Sequence, residues 1–296
     1  MPTLRQWLTT PEAFDCAMNP SFLGFPTHVG CLGALQREDL LGELVGLAGA
    51  SAGSMCGALI ASGMVVLEPG AGEPELTKEM AEAITVDPKD ALDPKPGLGV
   101  FRGKRFEKVL ARFSAPTFEE LKIPFACTAY SASSLSTQFL CRGPLPRAVR
   151  ASCTVPGLLQ PARHERRSWL FDGGVRDPTG ARGLAALPTQ PRRTLHVVVN
   201  RRMLPGDSYW TRAVAPKSFA VRREEVVTVR LNRPPALLLG ARSFAQLQRA
   251  VTATAEAVLA ALDQEMTRAG EGHWLLEVDV DWKRRSRGKE APKSKL

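Results

Sequence analysis

Residues 44–54 read Leu44-Val45-Gly46-Leu47-Ala48-Gly49-Ala50-Ser51-Ala52-Gly53-Ser54. An apolar run, a Gly/Ser turn and a small-residue run follow one another here. The pattern predicts a short buried strand over Gly42 to Ala48, a turn over Gly49 to Gly53 and a helix over Ser54 to Ser62. Within that context Gly49-Ala50-Ser51-Ala52-Gly53 is a G-x-S-x-G nucleophile elbow, which holds a serine in a sharp turn so that its oxygen projects from the sheet edge. Gly49 and Gly53 let strand and helix approach without Cβ clashes. The N–H of Ala52, at the helix N-terminus, is placed to donate to a developing oxyanion. The competing reading is a plain Gly/Ser turn in a packed βα unit. Leu44 to Leu67 also holds 24 residues without a charge, with Gly49, Gly53 and Gly57 at four-residue spacing. That composition also suits a membrane-spanning helix with a small-residue face.

Working outward, strands and helices alternate along the 296-residue chain. Strands are predicted at Ala13 to Ala17, Ile123 to Tyr130, Leu195 to Asn200, Glu225 to Leu231 and Leu276 to Trp282, and Trp169 to Val175 reads as a strand running into a turn. Helices are predicted at Cys31 to Gln36, Lys104 to Phe113 and Leu145 to Cys153, and Ala236 to Ala269 holds a long helix. Ser21 to Gly30 reads as a Gly/Pro-rich loop, and Glu68 to Pro96 as surface helix and loop. The alternation predicts an α/β domain around a largely buried central sheet, spanning residues 1–282. The formal charge is +9, but Lys283 to Leu296 holds seven Lys/Arg and one Glu, so the tail carries 7 − 1 = +6. The tail, 283–296, has no apolar face and is expected to be disordered. Basicity confined to a tail argues against a nucleic-acid partner.

The cysteines Cys16, Cys31, Cys56, Cys127, Cys141 and Cys153 form no CxxC and no zinc spacing, so reduced core thiols and no metal are expected. The start, MPTLRQWLTTPEAF, has no continuous apolar run of the signal-peptide kind, and an intracellular location follows as the expectation.

A serine nucleophile needs a base. His196 lies in an apolar strand, His164 in the charged loop ARHERR, where solvent is expected around it, His273 beside Gly272 with nothing to orient it, and His28 in the Gly/Pro loop. None has a triad setting. Asp172 does: it ends the apolar Trp169-Leu170-Phe171 and precedes Gly173 and Gly174. A carboxylate there can meet the elbow at one sheet edge and take the serine proton. The same DGG also suits an Asx turn.

Taken in order, GASAGS (Gly49 to Ser54), IPFACTA, PRAVRASCTVPGLLQPA and LFDGGVRD resemble the patatin-like phospholipases, over roughly Phe14 to Asp177. Within the third segment, Ala151-Ser152 and Pro156-Gly157 match the family's Ala-Ser pair and Pro-Gly turn. The resemblance implies a three-layer α/β/α sandwich with a mostly parallel sheet. It implies a lipid acyl hydrolase with Ser51 as nucleophile and Asp172 as base, an acyl-Ser51 intermediate, no cofactor, and a lipid or acyl-ester substrate met at a transient membrane or lipid-droplet surface. One segment departs from the pattern. Where the family's oxyanion loop reads DGGGxRG, this chain has GFPTHVG, Gly24 to Gly30. Pro26 has no N–H to donate, which leaves Phe25, Thr27 and Ala52 as candidate oxyanion donors. A non-catalytic lipid-binding or regulatory protein on the same scaffold is the alternative. The final Ser294-Lys295-Leu296 spells a peroxisomal import signal in a eukaryote, which implies an import receptor as partner and the peroxisome as destination; otherwise the expectation is a cytoplasmic protein touching membranes.

Overall fold

The computed structural model describes residues 1–22, 24–84, 88–95, 97–165, 167–200, 224–232 and 243–282. The tail with its Ser294-Lys295-Leu296 lies outside them.

Twelve strands alternate with eight α-helices among the described residues. The strands that position the site are β1 (Phe14–Met18), β2 (Leu44–Ala50), β4 (Phe125–Ser131), β8 (Arg167–Asp172), β9 (Arg193–Asn200), β10 (Glu225–Asn232) and β12 (His273–Val278). Six of them run parallel in the spatial order β12-β10-β9-β1-β2-β4. Antiparallel strands close both edges: β11 (Thr267–Gly270) beside β12, and β5 (Ser136–Leu140), β8 and β7 (Ala162–His164) around β4. The fold is α/β around a mostly parallel central sheet.

Side chains alternate across the sheet with the period of two that a strand imposes. Phe14, Cys16 and Met18 of β1, Phe125 and Cys127 of β4, and Val227 and Val229 of β10 enter the larger core. Helices α2 (Phe25–Arg37), α3 (Ala52–Ala61), α6 (Lys104–Phe113), α7 (Leu145–Ser152) and α8 (Ser243–Ala261) contribute to that same core. Ala17, Ala126 and Val226 point the other way, into a smaller cluster with Leu184 and Leu187. Polar side chains on this second face are buried and paired: Thr194 donates to Asp15, Thr128 Oγ1 donates to Asp177 Oδ2 at 3.0 Å, and His196 Nε2 meets the Thr179 carbonyl at 2.9 Å.

The Leu44 to Leu67 stretch is the expected strand, turn and helix, the last ten residues long, and no helix among the described residues is long and apolar enough to cross a membrane. Several other expectations are corrected. Ser21 to Gly30 is a loop only at its start, because α2 already begins at Phe25. Pro26 is tolerated in the first turn, where its missing N–H would have no partner anyway. Gly30 is a helix-contact residue: a Cβ there would fall 2.7 Å from Thr254 Cβ of α8. The long helix expected within Ala236 to Ala269 is there as α8, Ser243–Ala261, and Thr267–Gly270 is strand; residues 233–242 lie outside the described set. His164, expected in solvent, is buried with Nε2 at 3.0 Å from the Arg142 carbonyl. His273 is oriented after all, its Nε2 at 2.9 Å from Thr228 Oγ1.

The glycines of the elbow act by close approach. A Cβ on Gly49 would lie 2.5 Å from the backbone of Gly53, and one on Gly53 would fall against the Met18 carbonyl. Replacing Gly53 by Ala must therefore push α3 off β1. Gly53→Ala is expected to cost about 2–3 kcal/mol, whereas Gly42→Ala, with open space around it, stays within roughly 0.5 kcal/mol of the parent. Thermal unfolding of the two variants checks the contrast.

Candidate active site

The register of β4 brings the site together. Along one edge of β4, β2 pairs in parallel up to Ala50 opposite Thr128. At the next position, Ala129, the partner is Asp172, the last residue of antiparallel β8. The opposite edge is taken by β5 over the same residues. Two strands thus meet end to end on one edge, with their C-terminal residues facing each other. Ser51 has no ladder position left and must turn away. It does so at φ 51° and ψ −120°, a conformation that costs a non-glycine residue on the order of 1–3 kcal/mol.

The turn aims Ser51 at Asp172. Ser51 Oγ donates to Asp172 Oδ2 at 2.7 Å, and the other carboxylate oxygen accepts from Gly174 N–H at 2.8 Å. Gly173 is required beside them, since a Cβ there would lie 2.8 Å from Thr128 Oγ1 and closer still to its carbonyl. Burial pushes the Asp172 carboxyl up to about 6, against the lowering by its bonds from Ser51 and Gly174.

Three consecutive residues at the end of α7 hold both partners by their backbones. Ser51 N–H donates to Ser152 Oγ at 2.9 Å, Cys153 Sγ–H donates to the Ser51 carbonyl at 3.3 Å, and Asp172 N–H donates to the Thr154 carbonyl at 2.8 Å. The sequence marks Ser152 only as one of an Ala-Ser pair; its role is set by a bond across 101 positions. Asp177 is a second residue that local pattern does not single out. Its buried carboxylate accepts from Thr128 and Thr179 hydroxyls and the Arg182 N–H, and its own N–H bonds to the Gly173 carbonyl, so it pins the DGG turn to β4.

Ser51, Asp172 and Gly174 open into a cavity of about 500 Å³ walled by Asn19, Pro20, Ser21, Phe22, Val155, Pro156, Val175, Val198 and Val199. The wall is mostly apolar, with Asn19 and Ser21 its polar members besides Ser51 and Asp172. Its loop side is Asn19 to Phe22, not Gly24 to Gly30. Neither Phe25 nor Thr27 lines the cavity, and Thr27 N–H is spent on the Gly24 carbonyl inside α2. His28 is buried, with Nε2 at 2.9 Å from the Asn19 carbonyl, and burial brings its pKa down to about 4, so it props the loop as a neutral ring. Asn19 is tied to β9 by bonds with Val199 in both directions. Ala52, the remaining candidate, directly follows Ser51: its N–H and that of Gly53 open α3 and make no hydrogen bond among the described residues. No group of three or more His, Cys, Asp and Glu among the described residues is placed to hold a metal ion.

A model of the patatin-like phospholipase family matches residues 23–185, more than half of the chain, and the chain belongs to that family. Uncharacterized NTE family proteins of Mycobacterium bovis and Mycobacterium tuberculosis are 29% identical to it over 153 residues, 51% of this chain and 39% of theirs. The chain thus spans well under half the length of these relatives. VipD from Legionella pneumophila shares the fold, with a TM-score of 0.53 over 86% of this chain and 68% of its own, at 10% identity.

The raised Asp172 pKa is also a statement about stability. Between the usual carboxylate value and about 6 the folded protein holds a proton that the unfolded chain has lost, so stability falls as pH rises through that window. The shift corresponds to roughly 3 kcal/mol. Asp172→Asn removes the buried charge, so its unfolding midpoint is expected to exceed the parent's at pH 7 and to match it near pH 4. Thermal scans across that range check the convergence.

Proposed function

We propose that this protein is a serine acyl hydrolase for lipid carboxylic esters, working through a Ser51–Asp172 dyad without histidine. The observation that carries the reading is the 2.7 Å bond from Ser51 Oγ to a buried carboxylate at the mouth of an apolar cavity. Family membership supports the same class of substrate.

In this mechanism Ser51 Oγ attacks the ester carbonyl carbon while its proton passes to Asp172 Oδ2. A base with its pKa raised to about 6 is still ionised at neutral pH and accepts a proton more readily than an ordinary carboxylate. The carbonyl oxygen becomes an oxyanion, which the Ala52 and Gly53 N–H groups and the positive end of α3 stabilise. The C–O bond to the alcohol then breaks, and the leaving oxygen takes the proton from Asp172. The acyl group remains on Ser51 Oγ, with its chain along Val155, Val175, Val198 and Val199. Water gives a proton to Asp172 as it attacks, the Ser51–acyl bond breaks, Ser51 recovers the proton, and the carboxylic acid leaves.

Ser152 is the positioning residue. Its hydroxyl fixes the Ser51 N–H in the strained turn, and a small displacement of a reacting atom can cost about 10²-fold in rate. Ser152→Ala is expected to lower kcat about tenfold or more with little change in KM.

The direct test is hydrolysis of a p-nitrophenyl ester series and of phospholipid by the parent and Ser51→Ala. The parent is expected to turn over and the variant to be silent, with kcat/KM rising to a plateau as pH passes about 6. Asp172→Asn is expected to lose about 10²–10⁴ in rate. Equal and negligible signals from parent and Ser51→Ala on every ester would defeat the proposal.

A further inference from the structure

The molecule exposes more apolar side chain beside the cavity than its own folding explains. Of ten large hydrophobic residues exposed among the described ones, six fall on three features: Phe22 and Val175 on the cavity wall, Leu98 and Trp169 on a second hollow, and Val100 and Leu158 on a small strand pair. Phe22 and Val175 wall the cavity itself. Val100 and Leu158 sit midway along a small parallel ribbon, β3 (Gly99–Phe101) with β6 (Gly157–Leu159), whose pairs Gly99–Gly157 and Phe101–Leu159 bracket them. The ribbon starts where Val155 and Pro156 leave the cavity wall, and it ends at a second hollow of about 370 Å³ lined by Lys95, Leu98, Gln160, Arg163 and Trp169.

Trp169 is the decisive residue. It sits in β8 at φ 57°, a conformation that is a genuine outlier for a bulky residue. It is nonetheless 48% exposed, so burial within this chain does not offset the strain. It lies three residues before Asp172, which along a strand is about 10 Å from the dyad. Lys95 and Arg163, on the same hollow, form no salt bridge among the described residues. An amphipathic indole with aliphatic neighbours and unpaired cations is the combination that suits a lipid–water interface of negative charge. A protein partner would leave the nearby cavity mouth, with its own exposed Phe22 and Val175, without a role; a bilayer covers both.

We propose that the β3–β6 ribbon and the hollow beside it form a docking face for an anionic lipid bilayer, which sets the cavity mouth against the membrane. Leu98, Val100, Leu158 and Trp169 enter the interface, and Lys95 and Arg163 meet the headgroups. The proposal deepens the lipid-ester reading, yet binding is measured without turnover.

The full chain is sedimented with vesicles of phosphatidylcholine alone and of phosphatidylcholine with phosphatidylserine. The parent is expected to favour the second and to release at high salt. Lys95→Glu with Arg163→Glu should bind these vesicles roughly thirtyfold less or weaker still, and Leu98→Ser with Trp169→Ser about tenfold less. Both double variants should keep the parent's unfolding midpoint and its hydrolysis of a soluble short-chain ester. Quenching of tryptophan emission by brominated lipid provides a reading with a milder change and should largely vanish in Trp169→Phe. Binding by both double variants equal to the parent's, or quenching that survives in Trp169→Phe, overturns the proposal and points to the basic tail instead. Loss of binding in both double variants, with a parent that binds the vesicles yet hydrolyses no ester at all, would leave the docking face standing and remove the hydrolase reading alone.

Discussion

The edge of β4 cannot be shared by two strands at the same residue. Thr128 is paired to Ala50 and Ala129 to Asp172, so β2 and β8 must both stop there, nose to nose. Everything at the site follows from that limit. The chain after Ala50 has to leave the sheet at once, which forces the positive φ of Ser51 and the start of α3 at the next residue. The chain after Asp172 has to leave too, and the glycines that follow allow it to fold back over Thr128. A hydroxyl and a carboxylate are then in contact because the sheet has no room to keep them apart.

That arrangement is unfavourable locally and is held by its surroundings. Ser51 is in a sparsely populated conformation, and Asp172 carries charge in a buried place. The compensation comes from backbone bonds made by Ser152, Cys153 and Thr154, from the Asp177 network behind the DGG turn, and from the close packing of Gly49 and Gly53 against β1 and α3. Strain and an elevated carboxylate pKa concentrated in one cleft are the features on which the proposed nucleophile and base rest.

The parts of this site that were legible in the sequence are those with a local cause. Gly49 and Gly53 around Ser51, and the two glycines after Asp172, are demanded by close backbone approaches, and such demands leave glycines at fixed spacing. Strands such as β4, β9 and β10 were legible for the same reason, as apolar runs of the right length. What escaped depends on contacts between distant segments. Ser152 looks like any helix-end serine until the elbow is folded against it. His164, among arginines, is buried only because the short β7–β8 pairing closes over it. The start of α2 was misread because Gly24 and Pro26 signal a loop locally, while a helix's first turn accepts both. The expected oxyanion loop, matched to the family pattern at residues 24–30, therefore falls largely on α2, whereas the cavity is walled by 19–22.

A single-turnover label asks the central question without depending on the rate of the full cycle. Incubation with a fluorophosphonate, followed by mass spectrometry of the peptides, should place one adduct on Ser51, with a labelling rate that rises as pH passes about 6 and collapses in Asp172→Asn. An adduct elsewhere, no adduct at all, or labelling of Ser51 that is indifferent to Asp172→Asn would contradict the claim that the meeting of β2 and β8 on β4 creates a working nucleophile and base.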